Sequence, residues 1–177
     1  MIKKALIAAV LLVAGLCAAA SFQPDRYTVT RSATIAAPAE KLFGMVNDFH
    51  NWNSWSPWAK LDPNMKQPFD GSPMGVGAGY AWAGNDEVGE GRMTITESQP
   101  AERIRIKLAF LKPWESTSDT TFTFKQEGDK TAVSWEMTGE NNFMSKLFGL
   151  LMGGMDKMIG PDFEKGLAQM KAGAESK

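Results

Sequence analysis

Hydrophobic and polar positions change their period three times along the 177-residue chain, and each change predicts a different element. Lys3 and Lys4 precede an uncharged, largely apolar stretch from Ala5 to Ala20. Beyond it, Tyr27, Val29, Ala33 and Ile35 alternate with Thr28, Thr30, Ser32 and Thr34, the two-residue period of a half-buried strand. Pro38 and Glu40 then suit a first helical turn, and Leu42, Phe43 and Val46 fall on one helix face. Asn47-Asp48 can stop this short helix and cap a second one starting at Phe49. Alternation returns in Gly77–Ala83, Val88–Glu97, Arg103–Leu111, around Thr120, Phe122 and Phe124, and around Val133, Trp135 and Met137. Turns at Asn85-Asp86 and Glu127-Gly128-Asp129 separate some of these four or five hairpin-linked strands. After Gly139 a helical stripe runs for about thirty residues from Phe143 to Met170, capped by Asn141 or Asn142. Gly160-Pro161 should kink or break that helix, because proline removes a donor and crowds the preceding turn. The order predicts an α+β fold: a curved antiparallel sheet wrapped around a long C-terminal helix, with two short helices after strand one.

The apolar start changes how the composition reads. The chain is 44% hydrophobic, but 17 of its first 20 residues are apolar. Without them the body is about 39% apolar, an ordinary soluble composition. Residues 1–22 therefore read as an N-terminal signal peptide, cut before Ser21, or as an uncleaved membrane anchor with Lys3 and Lys4 on the cytoplasmic side. Lipidation of Cys17 fits less well, since bulky Leu16 precedes it. Residues 23–177 read as a single domain in the cell envelope, anchored outside the cytoplasm, or periplasmic or secreted after cleavage. With 19 Lys and Arg against 20 Asp and Glu, the chain has no broad basic field, so a nucleic-acid partner is not expected. One cysteine and one histidine argue against multi-cysteine zinc sites and iron–sulfur clusters, and no metal or other cofactor is expected. Gly75-Val76-Gly77-Ala78-Gly79 precedes a strand rather than opening a helix, so it is no phosphate loop. Gly149 and Gly153 fit close helix–sheet packing better than helix pairing in a membrane.

Three segments carry a family resemblance: I-x-A-P at Ile35–Pro38, the run D-F-x-x-W-x-x-W-S-P-W from Asp48 to Trp58, and G-R-M-T-I-T at Gly91–Thr96. Over about residues 27–172 the chain resembles bacterial polyketide cyclase/dehydrase-like proteins of the START-related (SRPBCC) superfamily. The resemblance implies a helix-grip fold with a deep cavity between sheet and C-terminal helix that takes lipids, sterols, polyketides or other hydrophobic molecules. Pro161 departs from it, since a gripped helix should run uninterrupted.

A curved sheet gripping one helix leaves a hollow, and apolar hollows with a few polar groups are the usual form of small-molecule sites. Its expected ligand-binding residues are Trp52, Trp55, Tyr80, Trp82, Met93, Ile106, Phe110, Trp135, Met137, Met155 and Ile159. The expected partner is a hydrophobic small molecule (a lipid, polyketide or isoprenoid-like compound), with membrane contact through the N-terminal segment. Two other readings compete. A cyclase or dehydratase would need an inward acid or base, for which His50, Glu90, Glu97, Glu136, Asp156 and Asp162 are the candidates. A partner-binding module would use Trp52, Trp55 and Trp58 as a surface of exposed indoles, whereas the same cluster could instead form a cavity lip or clamp the short helices to the sheet. No nucleophile–base motif supports covalent catalysis.

Overall fold

The computed structural model describes residues 2–176, so Met1 and Lys177, the outer ends of the two spans named above, lie outside it. Helix α1 covers Ile2–Ser21 and strand β1 Arg26–Ile35; α2 (Ala39–Asn47) and a 3₁₀ turn (Phe49–Ser54) follow. Strands β2 (Phe69–Gly71), β3 (Ala78–Ala83), β4 (Glu90–Gln99), β5 (Arg103–Lys112), β6 (Ser116–Glu127) and β7 (Lys130–Glu140) precede α3 (Phe143–Met152) and α4 (Met155–Glu175). The seven strands form one antiparallel sheet in the order β1-β7-β6-β5-β4-β3-β2. This is an α+β helix-grip architecture. Only β2 escaped the periodic signal, because three residues are too few to establish alternation.

Register places one apolar row beside the next. Ile95, Ile106 and Thr120 are successive partners on β4, β5 and β6, and Met137 and Val29 continue the row across β7 and β1. A bulge at Thr96, where pairing jumps from Ile95–Ile106 to Glu97–Arg105, bends β4 and adds to the curvature. Gly139 lies between Tyr27 and Ser118 in another row. A Cβ there would come within 2.5 Å of the Tyr27 hydroxyl, so the missing side chain is what lets Tyr27 cross the strand and bond Ser118 Oγ at 2.7 Å.

The C-terminal helix corrects two expectations. The break falls at Gly153-Gly154, with φ of 88° and 86°, conformations that residues with a Cβ rarely adopt. Pro161 instead sits inside unbroken α4 on its exposed side, where water can serve the carbonyl that proline leaves without a donor. The apolar stripe is not one cover either: α3 buries none of its residues, whereas α4 places Phe163, Leu167, Met170 and Ala174 in the core at helical spacing. Gly149 and Gly153 consequently have no role against the sheet. The glycines that permit close approach are Gly160, above Arg31 of β1, and Gly166, above Trp135 of β7. The Arg31 guanidinium reaches Asp156 and Glu164, both at 2.7 Å, one turn before and one turn after Gly160. That fork fixes α4 along β1.

The capping expectations hold locally. The Asp48 carboxylate accepts from the His50 N–H at 2.9 Å and starts the 3₁₀ turn. Asn142 rather than Asn141 caps α3, accepting from Ser145 N at 2.8 Å.

Candidate binding hollow

Between the inner face of β3–β7, the 3₁₀ turn with its following loop, and α4 lies a hollow of about 200 Å³. That far exceeds the ~10–15 Å³ needed for one water. Strand register builds most of its wall. Tyr80 pairs with Met93 and Met93 with Leu108, setting three side chains side by side from β3 to β5. Thr120 and Met137 oppose each other on β6 and β7. Gly91 lies between Trp82 and Phe110. Its absent side chain lets the Trp82 ring lie over the strand, since a Cβ there would stand 2.3 Å from Cη2, and edge onto Phe110 at 5.8 Å. Trp82 Nε1 donates to Val88 O at 2.9 Å, which fixes the ring. Ile159 and Phe163 of α4 close the hollow, and Trp52 and Trp58 contribute from the segment after α2.

Trp135 anchors this arrangement. Its indole stacks on Phe163 at 4.0 Å and on Phe122 at 4.9 Å, and Trp55 and Trp58 meet it edge-on at 5.6 and 6.0 Å. Such packing holds the ring without a polar tether. Among the described residues, its Nε1 is the buried side-chain polar atom that finds no hydrogen-bond partner. An orphaned buried N–H is costly, about 1–3 kcal/mol; this one is sealed within the aromatic stack, so an acceptor would reach it only if a neighbouring ring shifts.

Eight of the eleven expected residues line the hollow: Trp52, Tyr80, Trp82, Met93, Phe110, Trp135, Met137 and Ile159. Three do not. Trp55 is fully buried behind Trp52 and donates Nε1 to Met45 O; Ile106 is sealed in the core; Met155, at the start of α4, borders a separate recess beside Gln23 and Lys146. Leu108 and Phe163 line the hollow unforeseen, although both lie in predicted apolar rows, as does Thr120. Met65 sits in a loop with no periodicity to reveal it, and Val88, expected to open a strand, lies instead in the turn before β4, which starts at Glu90.

The acid–base candidates are placed elsewhere. His50 is exposed, stacks on Phe69 at 4.1 Å and has Nδ1 2.7 Å from Asp48. Glu90 pairs with Lys112, Glu97 with Arg103 and Asp156 with Arg31, while Glu136 accepts from Thr30; these groups and Asp162 are absent from the lining. The titratable lining groups are Tyr80 and the exposed Glu87. Burial pushes the Tyr80 phenol up to about 12, so near neutral pH it can donate a hydrogen bond but cannot serve as a base. The indole cluster is likewise no exposed surface: Trp52 and Trp55 are buried, and Trp52 Nε1 donates to Val46 O. These indoles clamp the 3₁₀ turn to α2.

Comparison with known proteins adds three findings. The family described as "Polyketide cyclase / dehydrase and lipid transport" matches residues 26–175. No curated protein matches in sequence. Many solved structures share the fold. Protein CV1439 from Chromobacterium violaceum has a TM-score of 0.60 at 16% identity, covering 87% of this chain and all (100%) of that one. The Aha1 dimer from Colwellia psychrerythraea has a TM-score of 0.59 at 15% identity, with 84% and 96% covered. The di-domain ARO/CYC StfQ, from the steffimycin biosynthetic pathway, has a TM-score of 0.61 at 12% identity, covering 85% of this chain and 51% of that one.

Proposed function

Since the chain belongs to the polyketide cyclase/dehydrase and lipid transport family, we propose that its hollow binds and carries a hydrophobic small molecule with one hydrogen-bond acceptor. The observation that carries this reading is the aromatic and methionine lining of the hollow; the unpartnered Trp135 N–H, sealed beside it, is the donor that a ligand acceptor would satisfy once a neighbouring ring makes way. Carriage requires apolar burial and little else. A ligand burying about 300 Å² of apolar surface gains roughly 7–8 kcal/mol, enough for micromolar binding if ordering costs stay small. Rigid, pre-packed aromatic walls keep those costs down, and flexible Met65, Met93 and Met137 adapt to ligand shape. Native mass spectrometry of the protein extracted gently from membranes should show a bound small hydrophobic molecule. A consistently empty protein, together with no rise in Tm on adding 1-tetralone or a lipid extract, would sink the reading.

The second reading, a cyclase or dehydratase in the same hollow, rests on Glu87, the carboxylate at its wall. Unchanged turnover in Glu87→Gln would remove it. The location proposed for the domain is the outer face of the cytoplasmic membrane. Helix Ile2–Ser21 supports it, being long and apolar enough to cross a bilayer.

A further inference from the structure

The exposed apolar surface of this protein is concentrated where α1 meets the rest of the chain. Helix α3 packs against α1 yet buries none of its own side chains, leaving Phe143, Phe148, Leu151 and Met152 open. Beside it, the tip of the β5–β6 hairpin exposes Leu111 and Trp114, and the Trp114 ring lies 5.6 Å from that of Phe148. Two separate elements thus form one apolar face. No acidic residue lies in the first turn of α3, and its one lysine, Lys146, folds back onto Asp25 in the tether after α1. The Gly153-Gly154 break turns α3 away from the line of α4, so the apolar helix faces outward instead of covering the sheet.

We propose that α3 and the 111–114 hairpin tip form a seat that lies in the surface layer of the lipid bilayer crossed by α1. This rests on the reading of α1 as a membrane anchor. Chain length chooses the occupant. Only Phe22–Asp25 separate α1 from β1, and a tether of that length extends about 15 Å, so an anchored α1 keeps the apolar face at the bilayer surface. An exposed tryptophan such as Trp114 beside an apolar helix is the pattern that settles at headgroup depth, where an apolar ring body and a polar N–H are both satisfied. Because the face is apolar rather than basic, seating needs no anionic lipid.

Spin labels on the full chain in phosphatidylcholine vesicles test this. In a Cys17→Ser background, single labels go at Leu151→Cys and Leu111→Cys on the seat, Val10→Cys in α1, and Asp129→Cys in the far β6–β7 turn. All four sites are solvent-facing, so the labels leave the core intact. Accessibility to oxygen relative to a water-soluble nickel chelate should be several-fold higher at positions 151 and 111 than at 129, and highest at 10. If 10 is lipid-embedded while 151 and 111 match 129, the seat is wrong and the anchor stands. A water-exposed position 10, or its loss by cleavage, overturns the anchor reading and the seat with it. Protection of 151 from both reagents, with spin–spin broadening between copies, overturns the seat in favour of a second chain covering α3.

Discussion

Replacing Trp135 with phenylalanine separates a hollow that merely excludes water from one that selects for an acceptor. In the empty protein the substitution has two opposed effects. It removes an unpartnered buried N–H, recovering about 1–3 kcal/mol. It also deletes one ring from a stack on Phe163 at 4.0 Å and Phe122 at 4.9 Å, a large-to-small change costing a few kcal/mol at most. These nearly cancel, and Tm should move by no more than about 5 °C. Binding is the sharper readout. Tetralin and 1-tetralone are close in shape and differ by one carbonyl. In the proposed complex the indole N–H replaces the water that the carbonyl gives up; in Trp135→Phe, compared in a Tyr80→Phe background so that the phenol cannot take its place, that donor is gone and the desolvation cost of about 1–3 kcal/mol is uncompensated there. The preference for ketone over hydrocarbon should therefore fall by roughly 5- to 150-fold, measured by calorimetry on both proteins with both probes. An unchanged ratio of the two dissociation constants would show that this N–H does not meet the ligand, and the acceptor would drop out of the proposed function.

Three further outcomes follow from the packing. Gly139→Ala should displace Tyr27 and strand the buried Ser118 hydroxyl, a net loss of about 1–2 kcal/mol after the gain from restricting glycine, seen as a Tm lower by roughly 3–8 °C. In a Tyr27→Ala background the same change should be neutral or stabilising, and an equal loss in both backgrounds refutes the mechanism. Gly160→Ala should lower Tm although alanine is the better helix former by ~1 kcal/mol, because its Cβ would stand 2.1 Å from Arg31 Nη2 and break the fork to Asp156 and Glu164; a raised Tm contradicts this. Both tyrosines are held protonated by burial, Tyr80 up to about 12. A raised phenol pKa means the folded protein keeps a proton that the unfolded chain loses near pH 10, so stability is full below that value and falls as pH rises toward about 12. Tyrosinate absorbance should appear together with unfolding; appearance at pH 10 with the fold intact would show that the phenols are not shielded.

Much of the fold was legible because apolar alternation is local. Ile104, Ile106 and Leu108 declare a buried face without reference to any other strand, and they line up on β5 as expected. The same signal placed eight wall residues of the hollow, since a side chain on the concave face must point at whatever fills the concavity. It could not separate wall from core: Ile106 and Leu108 share a face, yet only Leu108 reaches the hollow. That difference is set by the bulge at Thr96 and by where α4 lies. Loop residues such as Met65 and Glu87 carry no period, so their presence at the wall was invisible.

The glycines mark the boundary between the two levels. Sequence alone determined the long apolar N-terminal helix and, in chain order, six of the seven strands, because composition and period act over neighbouring residues. Only the tertiary structure decided that Gly153-Gly154 breaks the last helix while Pro161 does not. A helix can lose one hydrogen bond on its wet side and continue, whereas backbone at positive φ cannot remain helical. That decision divides one apolar stripe into α4, which packs against the sheet and closes the hollow, and α3, whose apolar face is left outside the fold.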